Sequence, residues 1–522
     1  MLRQSLRTAI LFLGLSALFF LVLRDSPAFP DPDSFYHAKM AVLIRDQGIV
    51  REFPWLQATV LKETYVDHHF LYHVLLIPFV SVFDPLKGIK IATALFAAGA
   101  LTMLYAILRT LRVRMAGAWL FLALSSANFV YRLNLAKAPG ISVFFLLLGV
   151  WLIIKITHAR TKHQSIILHS SFLILNFLYV WLYSAWPFLL TLCVLMVCVA
   201  RLAQGTWNWR LLLACATGIA AGLLFNPYFP DNLRFALWQI VEIGLKNYHA
   251  ALNVGTEWHP FSPRALVAVN FAPLIATLFD FALFAVVWKR VGISNMRHRK
   301  NSTFVIWATV AIMTILLTIA TLKARRMIEY LVPFQVIAAA LGIPMWLGML
   351  GFSRTSWREL IPRTWSWFTI FIASAWVALA LVLVTVTRNW VFMVARLRSG
   401  FESSSFAPPA TWLRAHTPAG SVVFLSDWGQ FPVYFYFNDH NYYLDGLDPT
   451  FTYLKDPRIN ATILRLRSGA ANERAPELLR ALQVSYAVVP IAHPLSHRLA
   501  KDPRLEVVYE YGQDRIYALT NL

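Results

Sequence analysis

Long apolar runs recur along most of this chain and constrain its fold more than any other feature. Windows that approach the ~20 residues of a membrane-spanning helix lie near 8–24, 91–108, 116–131, 139–157, 168–183, 186–203, 211–225, 265–288, 303–322, 327–351 and 365–388. Hydrophobic residues make up 58% of the 522 residues and charged residues only 14%, whereas soluble domains carry about a quarter charged residues. The sequence therefore predicts a polytopic α-helical membrane protein with about eleven spans.

Clusters of basic residues between these runs predict the orientation of the chain. They comprise Arg109, Arg112 and Arg114; Arg160 and Lys162; Arg201 and Arg210; Lys289, Arg290, Arg297, Arg299 and Lys300; and Arg354, Arg358 and Arg363. Because basic loops stay in the cytoplasm, the loops 25–90, 132–138 and 226–264 and the C-terminal part are expected to face outward. The net charge of +21 is interpreted as positive-inside loops and contact with anionic lipid headgroups, not as nucleic-acid binding.

Two apolar segments need a separate interpretation. The run near 8–24 is predicted to be a retained span, because no small-x-small cleavage site precedes Arg24. The segment His69–Phe83 is predicted to be a re-entrant or interfacial helix of the first outer loop, since a full crossing would place Arg109 to Arg114 outside.

From about Phe401 the composition becomes that of a soluble domain. Short branched or aromatic runs predict strands at Val422–Leu425, Asn441–Leu444, Tyr486–Val489, Leu505–Tyr511 and Arg515–Leu519, with helices up to His416 and near 451–467 and 473–482. Alternating strands and helices indicate a small α/β domain. The predicted organisation is a transmembrane domain over 1–400 and an extracytoplasmic α/β domain over 401–522.

The first outer loop carries carboxylates at the edge of the membrane. Asp31 and Asp33 lie close in sequence to Tyr36 and His37. Burying an acidic group at the membrane edge is costly, so its presence there suggests a function. The alternative is ordinary turn chemistry, with Asp33 or Ser34 capping a helix over 35–47. A metal site at Asp67-His68-His69 is not favoured, because adjacent residues of a helix point about 100° apart and zinc-like spacing is missing.

Three further polar patches lie in the predicted outer segments. They are Thr256-Glu257-Trp258-His259-Pro260, Lys323-Ala324-Arg325-Arg326 and Ser426-Asp427-Trp428-Gly429-Gln430. Basic residues on the outer side are not needed for topology, so Arg325 and Arg326 are candidates for binding a phosphate. The alternative is snorkelling side chains, with Glu329 paired to Arg325 or Arg326 at helical spacing.

Several of these motifs, in order, resemble one family. The chain resembles the catalytic subunit of oligosaccharyltransferases, which are membrane glycosyltransferases of the GT-C class that use polyprenyl-linked sugars. The matching stretches are Asp33-Ser-Phe-Tyr-His-Ala-Lys39 (first-loop aspartate), Ser184-Ala-Trp186 (Ser-Ala-Trp turn), Thr256-Glu257-Trp-His-Pro260 (Ser-Glu-x-x-Pro), Arg326 with Tyr330 (pyrophosphate arginine) and Leu425-Ser-Asp-Trp-Gly429, where the family has Trp-Trp-Asp-Tyr-Gly. The resemblance covers about residues 8–490.

This resemblance implies a function and a set of site residues. A sugar or oligosaccharide would pass from a polyprenyl-(pyro)phosphate donor to a protein or lipid-linked glycan acceptor, at the outer face of a bacterial inner (plasma) membrane. The implied roles are catalysis by Asp33 and Glu257, donor phosphate binding by Arg325, Arg326 and Lys137, and acceptor binding by Asp427, Trp428, Tyr36 and His37. Asp33 and Glu257 would also be the ligands of Mn²⁺ or Mg²⁺.

The chain departs from the family at two places. Its second outer loop, Arg132 to Gly140, lacks the family's acidic pair of metal ligands, and Lys137 stands about where one is expected. A lysine ammonium could take the cation's place, which favours metal-independent transfer to a hydroxyl. Both tryptophans of the acceptor motif are replaced, by Leu425 and Ser426. The alternative function is a catalytically degenerate scaffold that binds polyprenyl lipids.

Overall fold

The computed structural model describes residues 2–298, 301–351, 380, 383–470 and 474–519. Its first part is helical. The helices are α1 (Leu2–Arg24), α2 (Asp33–Gln47), α3 (Phe70–Val82), α4 (Pro85–Thr110), α5 (Ala116–Leu124), α6 (Ala127–Leu133), α7 (Pro139–Thr157), α8 (Lys162–Leu182), α9 (Trp186–Gln204), α10 (Trp209–Leu224), α11 (Asp231–Leu237), α12 (Pro263–His298), α13 (Ser302–Lys323) and α14 (Ile328–Met349).

Among the described residues, eight helices are long and apolar enough to cross a membrane. They lie in α1, α4, α7, α8, α9, α12, α13 and in the segment Arg325–Met349 that includes α14. The protein is therefore an integral membrane protein, but the expected count of about eleven spans is not confirmed. The window near 365–388 lies mostly outside the described residues.

The helices that form in two of the predicted windows, 116–131 and 211–225, and in the segment His69–Phe83 are short. The window 116–131 forms two short helices, α5 and α6, because the backbone turns at Ser125 and Ser126. The two serine hydroxyls donate to the carbonyls of Leu122 and Val269, which satisfies polar groups at the break. Helix α10 has 16 residues and α3 has 13. At 1.5 Å per residue, α3 is about 20 Å long, short of a ~30 Å hydrocarbon core.

A buried carboxylate joins three of the long helices. Asp280 of α12 accepts hydrogen bonds from the indoles of Trp307 in α13 at 3.0 Å and Trp346 in α14 at 2.9 Å. Gly342 of α14 faces this contact, and a Cβ there would overlap Asp280 and Trp307. The missing side chain therefore lets α12 and α13 approach α14 closely.

The C-terminal part folds around a five-stranded sheet. After β1 (Ala28–Phe29) and β2 (Phe401–Glu402), which form a separate antiparallel pair, come β3 (Val422–Leu425), β4 (Tyr442–Tyr443), β5 (Tyr486–Pro490), β6 (Glu506–Tyr511) and β7 (Asp514–Ala518). The strand order is β4-β3-β5-β7-β6, with β3 parallel to β4 and β5 and with β7 antiparallel to its neighbours. All five predicted strands form within a few residues of their predicted bounds.

Helices flank these strands at Ser403–His416, Phe431–Phe437, Pro449–Lys455, Pro457–Arg467, Ala475–Ala481 and Pro494–Leu499. The predicted helix over 451–467 is two helices, because Asp456 caps the second one and Pro457 starts it. The pair β1–β2 ties the first loop to the start of the sheet domain. Helix α2 packs against Phe431–Phe437, which brings the first loop and the sheet domain together.

Candidate active site

A cavity of about 590 Å³ lies between the first loop, the loop after α6, the long loop before α12 and the sheet domain. Its wall includes, of the residues singled out in the sequence, Asp31, Asp33, Tyr36, His37, Lys137, Glu257, Arg325, Arg326, Asp427 and Trp428. Charged side chains from segments far apart in sequence therefore share one pocket.

Lys137 lies at the centre of the carboxylates. Its Nζ is 2.8 Å from Asp33 Oδ2, 3.0 Å from Asp31 Oδ2 and 3.9 Å from Glu257 Oε1. Asp33 is the first residue of α2, where the helix dipole favours a negative charge, and Asp31 Oδ1 accepts its backbone N–H at 3.0 Å. Lys137 precedes Pro139, the first residue of α7. The start of α2 therefore positions Asp33, and the segment just before α7 positions Lys137.

Glu257 and Arg326 meet on the other side of Lys137. Glu257 lies in a single 3-10 turn, Thr256–Trp258, and Arg326 lies in another, Arg325–Met327. Arg326 donates to Glu257 Oε1 at 3.0 Å and to the hydroxyl of Tyr183, and its guanidinium lies 4.5 Å from the centre of the Trp258 ring. These contacts hold the guanidinium at the cavity wall.

The sequence interpretation assigned no role to Arg132, which is central here. Its Nη1 is 2.5 Å from Glu257 Oε2 and its Nε is 2.8 Å from Glu329 Oε2. Arg132 is 5% exposed and Glu329 is fully buried. The second terminal nitrogen of Arg132 is buried and has no hydrogen-bond partner among the residues that the structure describes. Glu329 therefore pairs with Arg132, and the alternative in which it pairs with Arg325 or Arg326 is wrong. The sequence did carry a signal for Arg132. It lies in an outer segment, Arg132 to Gly140, that has no acidic residue to pair with it, so its partner had to come from elsewhere in the chain.

Burial and neighbouring charges shift the ionisation of these groups in opposite directions. Burial, opposed by Lys137 and reinforced by Asp31, raises the pKa of Asp33 to about 6. Burial also disfavours the charged form of Glu257, but Lys137, Arg326 and Arg132 together hold its pKa well below the ordinary value. The carboxylates of Asp31, Asp33 and Glu257 outweigh burial and raise the pKa of Lys137 well above its ordinary value. At neutral pH the site therefore holds a charged lysine beside a carboxylate of near-neutral pKa.

Three of the remaining predicted residues, Arg325, Asp427 and Trp428, lie at the more exposed part of the cavity wall. Arg325 is exposed and donates from Nε to the carbonyl of Pro260 at 3.1 Å, so it lies at the wall without joining the carboxylate cluster. Asp427 is exposed and accepts the backbone N–H of Gly429, and Trp428 donates to the carbonyl of Asn253 at 2.9 Å. These two form part of the wall that the sheet domain supplies.

Tyr36 and His37 lie in α2 and are buried. The Tyr36 hydroxyl bonds to the hydroxyl of Tyr65 at 2.8 Å. His37 Nδ1 bonds to His73 Nε2 at 2.8 Å. The Asp67-His68-His69 stretch precedes α3, and Asp67 Oδ2 lies 2.7 Å from His73 Nδ1.

The carboxylates present do not fit the divalent ion that the resemblance implies. The ammonium of Lys137 lies between Asp31 and Asp33 and pairs with both carboxylates. Over the residues that the structure describes, no group of three or more His, Cys, Asp or Glu side chains is arranged to hold a metal. A hard divalent ion needs several oxygen ligands.

The chain has an oligosaccharyltransferase-like GT-C fold, with a helical membrane part and a C-terminal sheet domain. One similar structure is the oligosaccharyltransferase AglB from Archaeoglobus fulgidus, solved with an inhibitory peptide and a dolichol-phosphate. It aligns with a TM-score of 0.61 at 14% identity, over 92% of this chain and 69% of that one.

A second similar structure is ArnT from Cupriavidus metallidurans, solved with undecaprenyl phosphate. It aligns with a TM-score of 0.59 at 14% identity, over 98% of both chains. No protein-family model matches the sequence, and no curated protein sequence matches it. At 14% identity the likeness shows the fold, so the activity has to be argued from the site.

Proposed function

We propose that this protein is a membrane glycosyltransferase that moves a sugar or oligosaccharide from a polyprenyl phosphate or pyrophosphate to an acceptor at the outer face of a bacterial inner membrane. The observation that carries the proposal is the convergence of Asp33, Lys137, Glu257 and Arg326 in one cavity. The similar structures solved with dolichol-phosphate and undecaprenyl phosphate support a lipid-linked donor.

Asp33 is the activating carboxylate. In the reaction the acceptor oxygen bonds to the anomeric carbon, its proton passes to Asp33, and the bond from that carbon to a phosphate oxygen breaks with its electron pair on the phosphate. Burial raises the pKa of Asp33 to about 6, so the carboxylate is ionised at pH 7 and still basic enough to take a proton.

Lys137, Arg132 and Arg326 stabilise the leaving phosphate. Negative charge grows on the phosphate as the bond breaks, so these cations bind the transition state more strongly than the ground state. Arg132 lines the cavity and contributes its positive charge beside Glu257. Arg325, at the exposed edge, is suited to a donor with a second phosphate.

Transfer needs no divalent ion, because the Lys137 ammonium supplies the positive charge between Asp31 and Asp33. Asp427 and Trp428 of the sheet domain line the same cavity and are suited to hold the acceptor. A hydroxyl acceptor fits this site better than a carboxamide, since a carboxamide nitrogen is a poorer nucleophile that needs fuller activation.

The test is transfer from a labelled polyprenyl-linked sugar by purified protein, with Asp33→Asn as the variant. We expect at least a ~10²-fold loss of transfer, because a positioned base contributes about 10²–10⁴-fold, with unchanged yield of folded protein. Asp46→Asn is the matched control, since Asp46 is an exposed carboxylate on the same helix, paired to Arg45. Full activity of the Asp33 variant would refute the proposal.

A lipid-binding scaffold is the second candidate. It is favoured by the ion pairs of Lys137 to both Asp31 and Asp33, which weaken a carboxylate as a base. Under this alternative the purified protein retains labelled polyprenyl-linked sugar and forms no product with any hydroxyl acceptor. Product formation excludes it.

A further inference from the structure

Three buried side chains form a hydrogen-bonded chain that ends at the cavity. Asp67 Oδ2 lies 2.7 Å from His73 Nδ1, and His73 Nε2 lies 2.8 Å from His37 Nδ1. Asp67 and His37 are each 2% exposed and His73 is fully buried. Of the three, only His37 lines the cavity. We call this chain Asp67–His73–His37 the histidine relay.

His37 and Asp33 present their side chains to the same space. They are four residues apart on α2, so they lie on one face of the helix, one turn from each other. The Nδ1 of His37 is occupied by His73, and no hydrogen bond to a described residue occupies its Nε2. His37 is 2% exposed and lines the cavity beside Asp33, so we infer that the substrate supplies the partner of this nitrogen.

Asp67, at the end of the relay away from the cavity, determines which ring nitrogens of His73 and His37 carry a proton. Asp67 Oδ1 accepts the backbone N–H of His69 at 3.0 Å, and as a carboxylate Asp67 can only accept. When both imidazoles are neutral, His73 must donate from Nδ1 to Asp67 and accept at Nε2 from His37. His37 then donates from Nδ1, which leaves its Nε2 without a proton. Burial, with the nearby His73 and Lys137, also holds the pKa of His37 well below its ordinary value, so its imidazole stays neutral.

We propose that Asp67 and His73 are positioning residues that hold His37 Nε2 as a proton-free acceptor for a substrate hydroxyl next to the one that Asp33 activates. This inference rests on the proposed function and extends it. The recognised group is a hydroxyl, either of the donor sugar or of the acceptor. A ligand that lacks this hydroxyl leaves Nε2 unpaired and is bound less well.

The perturbation that tests the relay is Asp67→Asn, which changes almost no volume. The backbone N–H of His69 keeps the new carbonyl oxygen on its side, so the new amide nitrogen faces His73. His73 Nδ1 must then accept, both imidazoles reverse, and His37 Nε2 becomes a donor. We expect kcat/KM at pH 8 to fall about 100-fold or more, since the wrong tautomer is costly in comparable relays.

A double-mutant cycle separates this effect from simple packing. In His37→Gln the side-chain oxygen can accept from a hydroxyl, so this variant is expected to keep more activity than His37→Phe. Adding Asp67→Asn to His37→Gln should cost no further activity, because no tautomer remains to be reversed. The same loss in both backgrounds, or wild-type kcat/KM in Asp67→Asn alone, would overturn the proposal.

A spectroscopic readout does not depend on turnover. In protein labelled with ¹⁵N-histidine, the His37 Nε2 resonance, identified by its loss in His37→Gln, should be that of an unprotonated nitrogen in wild type and of a protonated one in Asp67→Asn. A protonated Nε2 in wild type at pH 8 contradicts the relay even if transfer occurs. Absence of transfer with an unprotonated Nε2 contradicts the proposed function instead.

Kinetics then identify the hydroxyl. If the group belongs to the donor sugar, His37→Phe raises KM for the lipid-linked sugar, and removing that hydroxyl from the donor abolishes the difference between wild type and variant. If the group belongs to the acceptor, His37→Phe raises KM for the acceptor, and removing that hydroxyl from the acceptor abolishes the difference between wild type and variant. Equal discrimination against every deoxy analogue by wild type and His37→Phe would refute a hydroxyl contact.

Discussion

Replacing Lys137 with methionine tests the central electrostatic feature of the site. Methionine keeps the length of the side chain and removes its charge. The Lys137 side chain is 11% exposed, and its ammonium lies 2.8 Å from Asp33 and 3.0 Å from Asp31. Removing one partner of a buried ion pair costs about 3–5 kcal/mol, because it leaves the other charges buried and uncompensated. Here carboxylates are left facing one another.

Replacing Lys137 is also expected to slow transfer. Loss of one preorganised group that stabilises developing negative charge costs about 10²–10³ in kcat. In addition, Lys137 lowers the pKa of Asp33, which is about 6 with the lysine present. Without it, that pKa rises and Asp33 becomes an effective base only at higher pH. Part of the loss should therefore be recovered between pH 7 and pH 9.

The assay is transfer from a labelled polyprenyl-linked sugar, with and without EDTA. Wild type should be insensitive to EDTA, and Lys137→Met should be slower at pH 7 by the factor above. Lys137→Asp adds a fourth oxygen-ligand side chain beside Asp31, Asp33 and Glu257, so its activity should rise on addition of Mn²⁺ or Mg²⁺. Lys87→Met, an exposed charge on α4, is the control.

Two results would refute this reasoning. One is a wild-type rate in Lys137→Met, which would mean that the ammonium does not act on the leaving group. The other is loss of wild-type transfer in EDTA with recovery on Mn²⁺, which would mean that a divalent ion displaces the lysine from the carboxylates.

Two further predictions concern pH and stability. Activity should fall as pH drops through about 6, because Asp33 then gains a proton. Asp31→Asn should shift this fall in kcat/KM to lower pH, since Asp31 raises the pKa of Asp33. A pH profile of kcat/KM in which the fall does not shift would contradict the role of Asp33 as the base. Gly342→Ala should lower the thermal unfolding temperature in detergent, because a Cβ there overlaps Asp280, and overpacking costs about 1–3 kcal/mol, whereas Gly348→Ala, with open space around it, should not.

The parts of the site that the sequence predicted are local in origin. Asp33 at the start of a helix and Glu257 in its turn were recognisable because a few adjacent residues form each motif. The sequence singled out Lys137 because its loop lacks a carboxylate, and the structure pairs it with Asp31 and Asp33. Arg132 was missed, because its value depends on Glu257 and Glu329, which lie 125 and 197 residues away.

The sequence alone determined the class of fold. Apolar runs of membrane length force helices, because backbone polar groups must be satisfied inside lipid, and alternating strands and helices after Phe401 force a packed sheet domain. Only the tertiary structure decided which charges meet: Lys137 with Asp33, Arg132 with Glu329, and Asp67 through His73 with His37. Pairing across distant segments depends on helix packing, which no local pattern encodes.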